Sequence, residues 1–388
     1  MPYTWMPGKP WEKYATYSNI MAPVNNILPD ITPLLSGCNR PLKMSFKDQL
    51  NILVYFHLEE HHSGRHLLQV LKEEHFARQY IAPEDGIEKS SFFEDIGSRG
   101  LEQMIEMFGK LYVKAAKHLP RGYAEFGDLV LIDGSLIDAV LSMYWADYRS
   151  GSKKAKVHVG FDLNHGIPKK IFLSNGKEAE RPFVERILAP GETGVMDRGY
   201  QSHKLFDTWQ ADGKHFICRI KACTEKTIVR TNDVQADSIV FFDAVVLLGT
   251  SGINQTEKEL RLVGYRVAGV DYWVATDRHD LTAEQIAFAY KLRWNIEIFF
   301  GWWKRHLKVY HLISRSQYGL MVQMLAGLIT YILLAIYCHD QHHEKVSVKR
   351  LREISINIRN EMSFDDIVNE TGVWYYQQPN RDQSHANP

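Results

Sequence analysis

Three carboxylates and a basic helical stripe are the residues of this chain whose types and spacing could do chemistry. Asp133 closes the apolar run Leu-Val-Leu-Ile-Asp and is followed by Gly134 and Ser135. That pattern predicts a carboxylate at the carboxyl end of a buried strand, where the backbone opens into a cleft. Asp197 repeats the arrangement in Gly-Val-Met-Asp-Arg-Gly-Tyr. Taken singly, either aspartate could instead hold a turn or cap the next helix, which for Asp197 would begin near Ser202. Two neighbouring acids, Asp138 and Asp162, compete with Asp133. Asp138 lies beyond the Gly-Ser break, and Asp162 leads into Asn164-His165-Gly166, a hairpin turn between two strand-like runs.

The third acid is Glu297, in a segment that reads as one long helix starting at Thr282 or slightly before it. At about 100° per residue, with Tyr290 at zero, Arg293 falls near 300°, Glu297 near 340° and Lys304 near 320°, an arc of about 60°. Trp294, Ile296, Ile298, Phe299, Trp302, Trp303 and Leu307 fall outside that arc. The helix is therefore expected to be buried around most of its circumference and to show one polar stripe. A rise of about 1.5 Å per residue sets Lys304 about 10 Å beyond Glu297, close to three phosphate steps along a nucleic-acid strand. An ordinary surface helix with a Glu–Arg pair at spacing four has the same local pattern. Charge separates the two: residues 291–315 hold six Lys or Arg and one acid, Glu297. A metal ligand beside a phosphate-binding strip accounts for that combination. Further basic residues gather at Arg149, Lys153, Lys154 and Lys156, and at Lys169 and Lys170.

With these motifs the chain resembles the cut-and-paste DDE transposases of bacterial insertion sequences, in the subgroup marked by a Tyr-(2)-Arg-(3)-Glu-(6)-Lys signature. The run from Tyr290 to Lys304 has that spacing in full, and the segments around Asp133 and Asp197 are similar to the first and second acidic motifs, in the right order. The resemblance covers roughly residues 125–340. It implies an RNase H-like catalytic core with an all-β insertion between the second acid and the glutamate; with the helical N-terminal domain that patterning predicts, the expected fold class is α/β. It implies two Mg²⁺ ions, for which Mn²⁺ can substitute, held by Asp133, Asp197 and Glu297. One ion would activate water or a 3′-hydroxyl and the other would stabilise the leaving oxygen. It implies that Tyr290, Arg293 and Lys304 bind transposon-end DNA near the scissile phosphate, and Arg198 is assigned to the DNA contacts with them. Trp273 and Trp209 are possible stacking residues for a flipped base.

The elements that must position these residues can be read from patterning. Residues 1 to about 44 hold seven prolines and no sustained period, which predicts an irregular lead-in. From Ser45, a cap, the pattern turns helical, with helices expected from Phe46 to Leu58, from Arg65 to about Tyr80, from Ser90 to Ser98 and from Leu101 to Leu119. Lys89, Ser90, Ser91 and Arg99 could meet a phosphate backbone in a helix-turn-helix; a plain helical bundle fits as well. Strands are expected at 129–132, 156–162, 169–173, 194–196 and 215–220, then an all-β insertion at about 222–272. The expected domains are a helical, DNA-binding one at 1–125, the catalytic one at 126–340, and a partly disordered tail at 341–388.

Composition sets limits. The 46 basic residues balance the 46 acidic ones in a chain of 388 residues, so DNA contact must come from local patches. The N-terminus lacks a secretory pattern. A cytoplasmic, nucleoid-associated bacterial setting is expected, with no membrane partner. Tyr318 to Cys338 is long and apolar enough to span a bilayer, but a buried core helix reads the same way and is preferred, since the motifs flank it. His215, Cys218 and Cys223 lack a fourth ligand at zinc-like spacing and read as unlinked strand residues. The expected partners are double-stranded DNA, as terminal inverted repeats and target, and a second copy of the chain in the DNA complex. Two alternatives stay open: an RNase H-like nuclease without strand transfer, and a catalytically inactive DNA-binding relative.

Overall fold

Short apolar runs between residues 129 and 276 assemble into one mixed ten-stranded sheet. The computed structural model describes residues 15–36, 41–59, 61–307 and 310–371. Its strands are β1 (Leu129–Ala139), β2 (Asp147–Arg149), β3 (Ser152–Asp162), β4 (Ile167–Asn175), β5 (Thr193–Met196), β6 (His215–Arg219), β7 (Lys226–Thr231), β8 (Val240–Leu248), β9 (Leu260–Val267) and β10 (Val270–Thr276). They lie in the order β2-β3-β1-β5-β6-β10-β9-β8-β7, with β4 also pairing with β3. The β1–β3 and β3–β4 pairs are antiparallel, whereas β1–β5 and β5–β6 are parallel. This antiparallel meander followed by two parallel strands is consistent with an RNase H-like core. The strands that follow Ala222 do not form a separate sheet. β10 pairs antiparallel with β6, so β7–β10 extend the central sheet on that side.

Two helices, α6 (Pro182–Ile187) before β5 and α7 (His203–Ala211) between β5 and β6, cover one face of the sheet. The other face carries α5 (Leu101–His118), α8 (Ala283–Lys291), α9 (Trp294–His306) and α10 (Gln317–His342). Alternation along β1 shows the division. Leu129 and Leu131 join the α9 and α10 side, while Val130 and Ile132 join the α6 and α7 side.

The helices α1 (Ala15–Ile27), α2 (Phe46–Leu58), α3 (Gly64–Glu73) and α4 (Lys89–Ser98) share an apolar cluster with α10 and with α11 (Val348–Thr371). Ser45 caps α2 in a reciprocal pair with Asp48. The irregular lead-in expected up to residue 44 is corrected by α1. Tyr17, Ile20, Met21, Val24 and Ile27 recur at helical spacing and are buried, and Pro23 sits inside the helix. The burial of that stripe outweighs the helix-breaking cost of proline. Of the partly disordered tail expected at 341–388, Val348–Thr371 forms α11, and the final run expected to be disordered lies outside the described residues.

α10 has the length and apolarity of a membrane span, and the protein itself covers 83% of its most apolar stretch. Its interior polar groups are satisfied locally. Gln323 accepts from the Ile313 amide at 2.8 Å and donates to the His311 carbonyl at 2.9 Å, and Thr330 donates to the Ala326 carbonyl.

Candidate active site

Asp133 does not end its strand, contrary to expectation. β1 continues to Ala139, paired with β3 throughout, and the opening arises on its other side. There β5 pairs only with Leu129–Leu131 and stops at Met196. Leu131 lies opposite Val195, so two residues on, Asp133 and Asp197 stand at the same level where the parallel pairing runs out. Period-two alternation aims Asp133, two residues beyond Leu131, at the α9 side.

Asp133 accepts the Gly134 amide at 2.8 Å on Oδ1, and its Oδ2 is 3.5 Å from Arg293 Nη1. Burial pushes its carboxyl pKa up to about 7, with Asp197 and Glu180 adding to the shift and the Gly134 amide and Arg293 opposing it. Asp197 caps the short turn Arg198–Tyr200 by accepting the Gly199 amide at 2.8 Å on Oδ1. The cap serves this turn, not the helix near Ser202.

The single long helix expected around Glu297 is two helices. Thr282 caps α8 with Gln285, as its position predicted. At the join, Arg293 donates to the Tyr290 carbonyl, Asn295 to Leu292 and Ile296 to Arg293, all three residues back. This tightened turn leaves Tyr290 on α8 and makes Arg293 the residue before α9. The four residues of the stripe still face the open end of β1. The Arg293 guanidinium lies 6.0 Å from the centre of the buried Tyr290 ring, and Nη2 binds Glu297 Oε1. Lys304 Nζ donates to the Leu136 carbonyl of β1 at 2.7 Å, and burial lowers its pKa. Trp294 and Ile298 are more than half exposed, so α9 is less enclosed than its apolar residues suggested. Arg198 is exposed and lines a cleft of 760 Å³ with Arg181, Lys204, Lys221 and Lys258.

A family profile described as the transposase DDE domain matches residues 125–333, which include all of these acids and the Tyr290–Lys304 stripe. The chain belongs to the DDE transposase family. It is 29% identical over 209 residues to a Geobacillus stearothermophilus protein assigned as the transposase of insertion sequence element IS5377, covering 53% of this chain and 54% of that one. A Sinorhizobium fredii protein assigned as transposase y4zB is 28% identical over 54% of this chain and 60% of its own length. A Synechocystis protein assigned as the transposase of insertion sequence element IS4SA is 22% identical over 60% of this chain and 67% of its own. The match thus spans about half the length of the first of these relatives.

DDE transposases use divalent metal, and the donor set at the end of β1 fits a hard divalent cation: Asp133 and Asp197 each keep one carboxylate oxygen out of the backbone hydrogen bonds that hold the other. The raised Asp133 pKa comes first from burial, with the neighbouring carboxylates Asp197 and Glu180 adding to it. Among the described residues, the group whose ligand atoms all lie within 4.8 Å of one another is His118, His339 and Asp340 on α5 and α10, apart from these acids, which do not close to that spacing.

Two residues beside these acids, Glu180 and Tyr200, carry no signal of their own in the sequence. Glu180 lies so close to Gly134 that a Cβ there would meet its Oε1 at 2.8 Å. Tyr200 is fully buried, and burial, with Glu180 beside its hydroxyl, holds its pKa well above the ordinary value. Glu180 sits in Gly-Lys-Glu-Ala-Glu-Arg-Pro, a stretch without strand or helix period, so only the glycine after Asp133 signalled an approach. The competing acids have other partners. Asp138 binds Lys154 at 2.7 Å, and Asp162 accepts from Tyr112 and from the His165 amide within its hairpin. Trp209 is entirely buried against Phe206 and Phe216 and cannot stack on a base, while Trp273 is partly exposed, edge-on to Phe241 and Phe242. His215 binds Asp277, Cys218 is buried and Cys223 is exposed, so these three do not converge on a metal.

Proposed function

We propose that this transposase binds the inverted-repeat ends of its insertion sequence, cuts them and joins them to target DNA. The observation that carries the proposal is the meeting of Asp133 and Asp197 at the end of the parallel pair with Glu297 tied to the same place through Arg293. In this reading Asp133, Asp197 and Glu297 hold two Mg²⁺ ions, or Mn²⁺ in their place. When bound, the ions lower the pKa of the attacking water or 3′-hydroxyl and stabilise the leaving oxygen.

The chain's own residues do the positioning. Asp133 within β1 and Asp197 just past the end of β5 stand at the same level of two paired strands, which fixes their separation. Arg293 leaves its carboxylate partners for a phosphate oxygen as positive charge arrives at the acids, and its fork suits bidentate phosphate contact. Tyr290 packs behind that guanidinium and sets its angle. Lys304, held toward β1, neutralises a phosphate further along the strand, and Arg198 meets the backbone in the basic cleft beside Asp197. The helical segment up to residue 125 supplies end recognition, with Lys89 and Ser90 exposed at the start of α4. Joining two ends calls for two copies of the chain on the DNA.

Incubation of the purified chain with a pre-nicked end duplex, Mg²⁺ and supercoiled plasmid tests the reading. Covalent end–plasmid products are expected; hydrolysis of the end without joined products would reduce the protein to a nuclease.

A further inference from the structure

We infer that His118, His339 and Asp340 form a second metal site, which takes one transition-metal ion of the Zn²⁺ class and ties the end of α5 to the end of α10. The site is separate from the acids beside β5 and does not depend on the activity proposed for them.

Helix packing brings the three residues together. At the start of α5, the Leu101 amide donates to the hydroxyl of Tyr318, in the first turn of α10, at 3.0 Å. At the other end, His118 is the last residue of α5 and meets Asp340 in the last turn of α10, with Nε2 2.6 Å from Oδ1. The two helices therefore run parallel, side by side, and finish at the same place. Each helix end carries about half a negative charge, so two such ends repel one another and favour a cation between them.

The donor set suits that cation. The His339 ring lies 5.6 Å from the His118 ring, centre to centre, and one ligand atom from each of the three residues lies within 4.8 Å of the others. Ligand atoms around a tetrahedral ion with bonds of about 2.0–2.1 Å stand about 3.3 Å apart. That separation falls between the 2.6 Å contact and the 4.8 Å limit. The His118 and Asp340 side chains are 48% and 39% exposed, so closing on an ion disturbs no core packing. The ion takes the place of the proton these two share. Two imidazoles and a carboxylate match Zn²⁺, whereas Mg²⁺ takes oxygen donors; water fills the fourth position. Nearby ligand types are engaged elsewhere: Glu344 binds Arg350 at 2.8 Å and His165 binds Asp162 at 2.7 Å. Because α5 leads through residues 119–128 into β1, an ion here anchors the approach to the strand that carries Asp133.

Co²⁺, which gives visible absorption bands in a tetrahedral nitrogen and oxygen site, is the probe. It is titrated into the full chain without DNA, in excess Mg²⁺, which occupies all-oxygen sites. The variants are His118→Ala, His339→Ala, Asp340→Asn, His343→Ala and Asp133→Asn, each checked for folding by circular dichroism. One Co²⁺ per chain with tetrahedral bands is expected for the parent, for His343→Ala and for Asp133→Asn. His118→Ala, His339→Ala and Asp340→Asn are each expected to weaken binding by at least about tenfold, the scale for losing even an outer partner of a ligand. A parent without tetrahedral bands would overturn the inference, as would parent-like binding in His118→Ala or His339→Ala. Loss in Asp133→Asn with none in His339→Ala would place the ion with the acids beside β5 and also overturn it, while leaving the reading of those acids intact. Loss in His343→Ala with none in His118→Ala would confine the ligands to α10 and remove the tie between the helices.

Discussion

Arg293 binds Glu297 through Nη2 and brings Nη1 to 3.5 Å from Asp133, so one cation serves acids on two different elements. Its side chain is only 15% exposed, and losing it leaves the carboxylates short of positive charge. Removing the shared cation of this part-buried cluster costs less than the about 3–5 kcal/mol of a fully buried pair, because Glu297 is 35% exposed and screened by solvent. Arg293→Gln should therefore lower the metal-free melting temperature by several degrees, and Mn²⁺ should raise it more in the variant than in the parent. Thermal unfolding with and without Mn²⁺ checks this; equal melting temperatures without metal would show that Arg293 does not compensate the acids.

The raised pKa of Asp133 has a definite sign for stability. Its carboxyl binds a proton more tightly in the folded chain, with a pKa of about 7 against the ordinary value of 3.8. Between those values the folded state holds more protons than the unfolded one, so this group's contribution falls as pH rises through that window and is lowest above about pH 7. Asp133→Asn removes the dependence. The metal-free variant should melt above the parent at pH 8 and close to it at pH 4, and a gain of equal size at both pH values would argue against a buried, proton-binding Asp133.

Lys304 is committed to the Leu136 carbonyl and not to an acid, which leaves its charge uncompensated beside the opening. Lys304→Met should weaken binding of end DNA at low salt and reduce the slope of log affinity against log salt by about 1, the change for one lost phosphate contact. Affinity titrations at several salt concentrations measure the slope. An unchanged slope would confine Lys304 to bracing α9 against β1.

Trp209 separates core from DNA contact. It fills the space between α7 and β6 with no exposure, so Trp209→Ala should cost about 3–5 kcal/mol of stability, read as a large fall in melting temperature. A variant that kept its melting temperature but lost DNA cleavage would place the ring on a base and not in the core.

What could be read from the sequence was whatever local pattern decides. The apolar runs before Asp133 and Asp197 formed strands, the Asp162–Gly166 hairpin formed its turn, and Ser45 and Thr282 capped helices. The Tyr290, Arg293, Glu297 and Lys304 stripe could be read by angle because the tightened turn at Arg293 keeps helical backbone. What tertiary packing decides could not. α1 survives Pro23 through burial against α5, α10 and α11. The opening beside Asp133 depends on where β5 stops, and the course of β7–β10 along the main sheet depends on β10 finding β6. Glu180 reaches Gly134 across a fold that no sequence interval encodes.

The central claim is that Asp133, Asp197 and Glu297 act as one metal-dependent set. Mg²⁺-dependent cleavage of DNA carrying the element's ends, measured for Asp133→Asn, Asp197→Asn and Glu297→Gln at matched folding and DNA occupancy, tests it most directly. Each variant is predicted to lose activity by at least about 10²-fold, the scale for removing one preorganised group that stabilises transition-state charge. Parent-level cleavage in any of the three would contradict the assignment of that acid and, with it, the set.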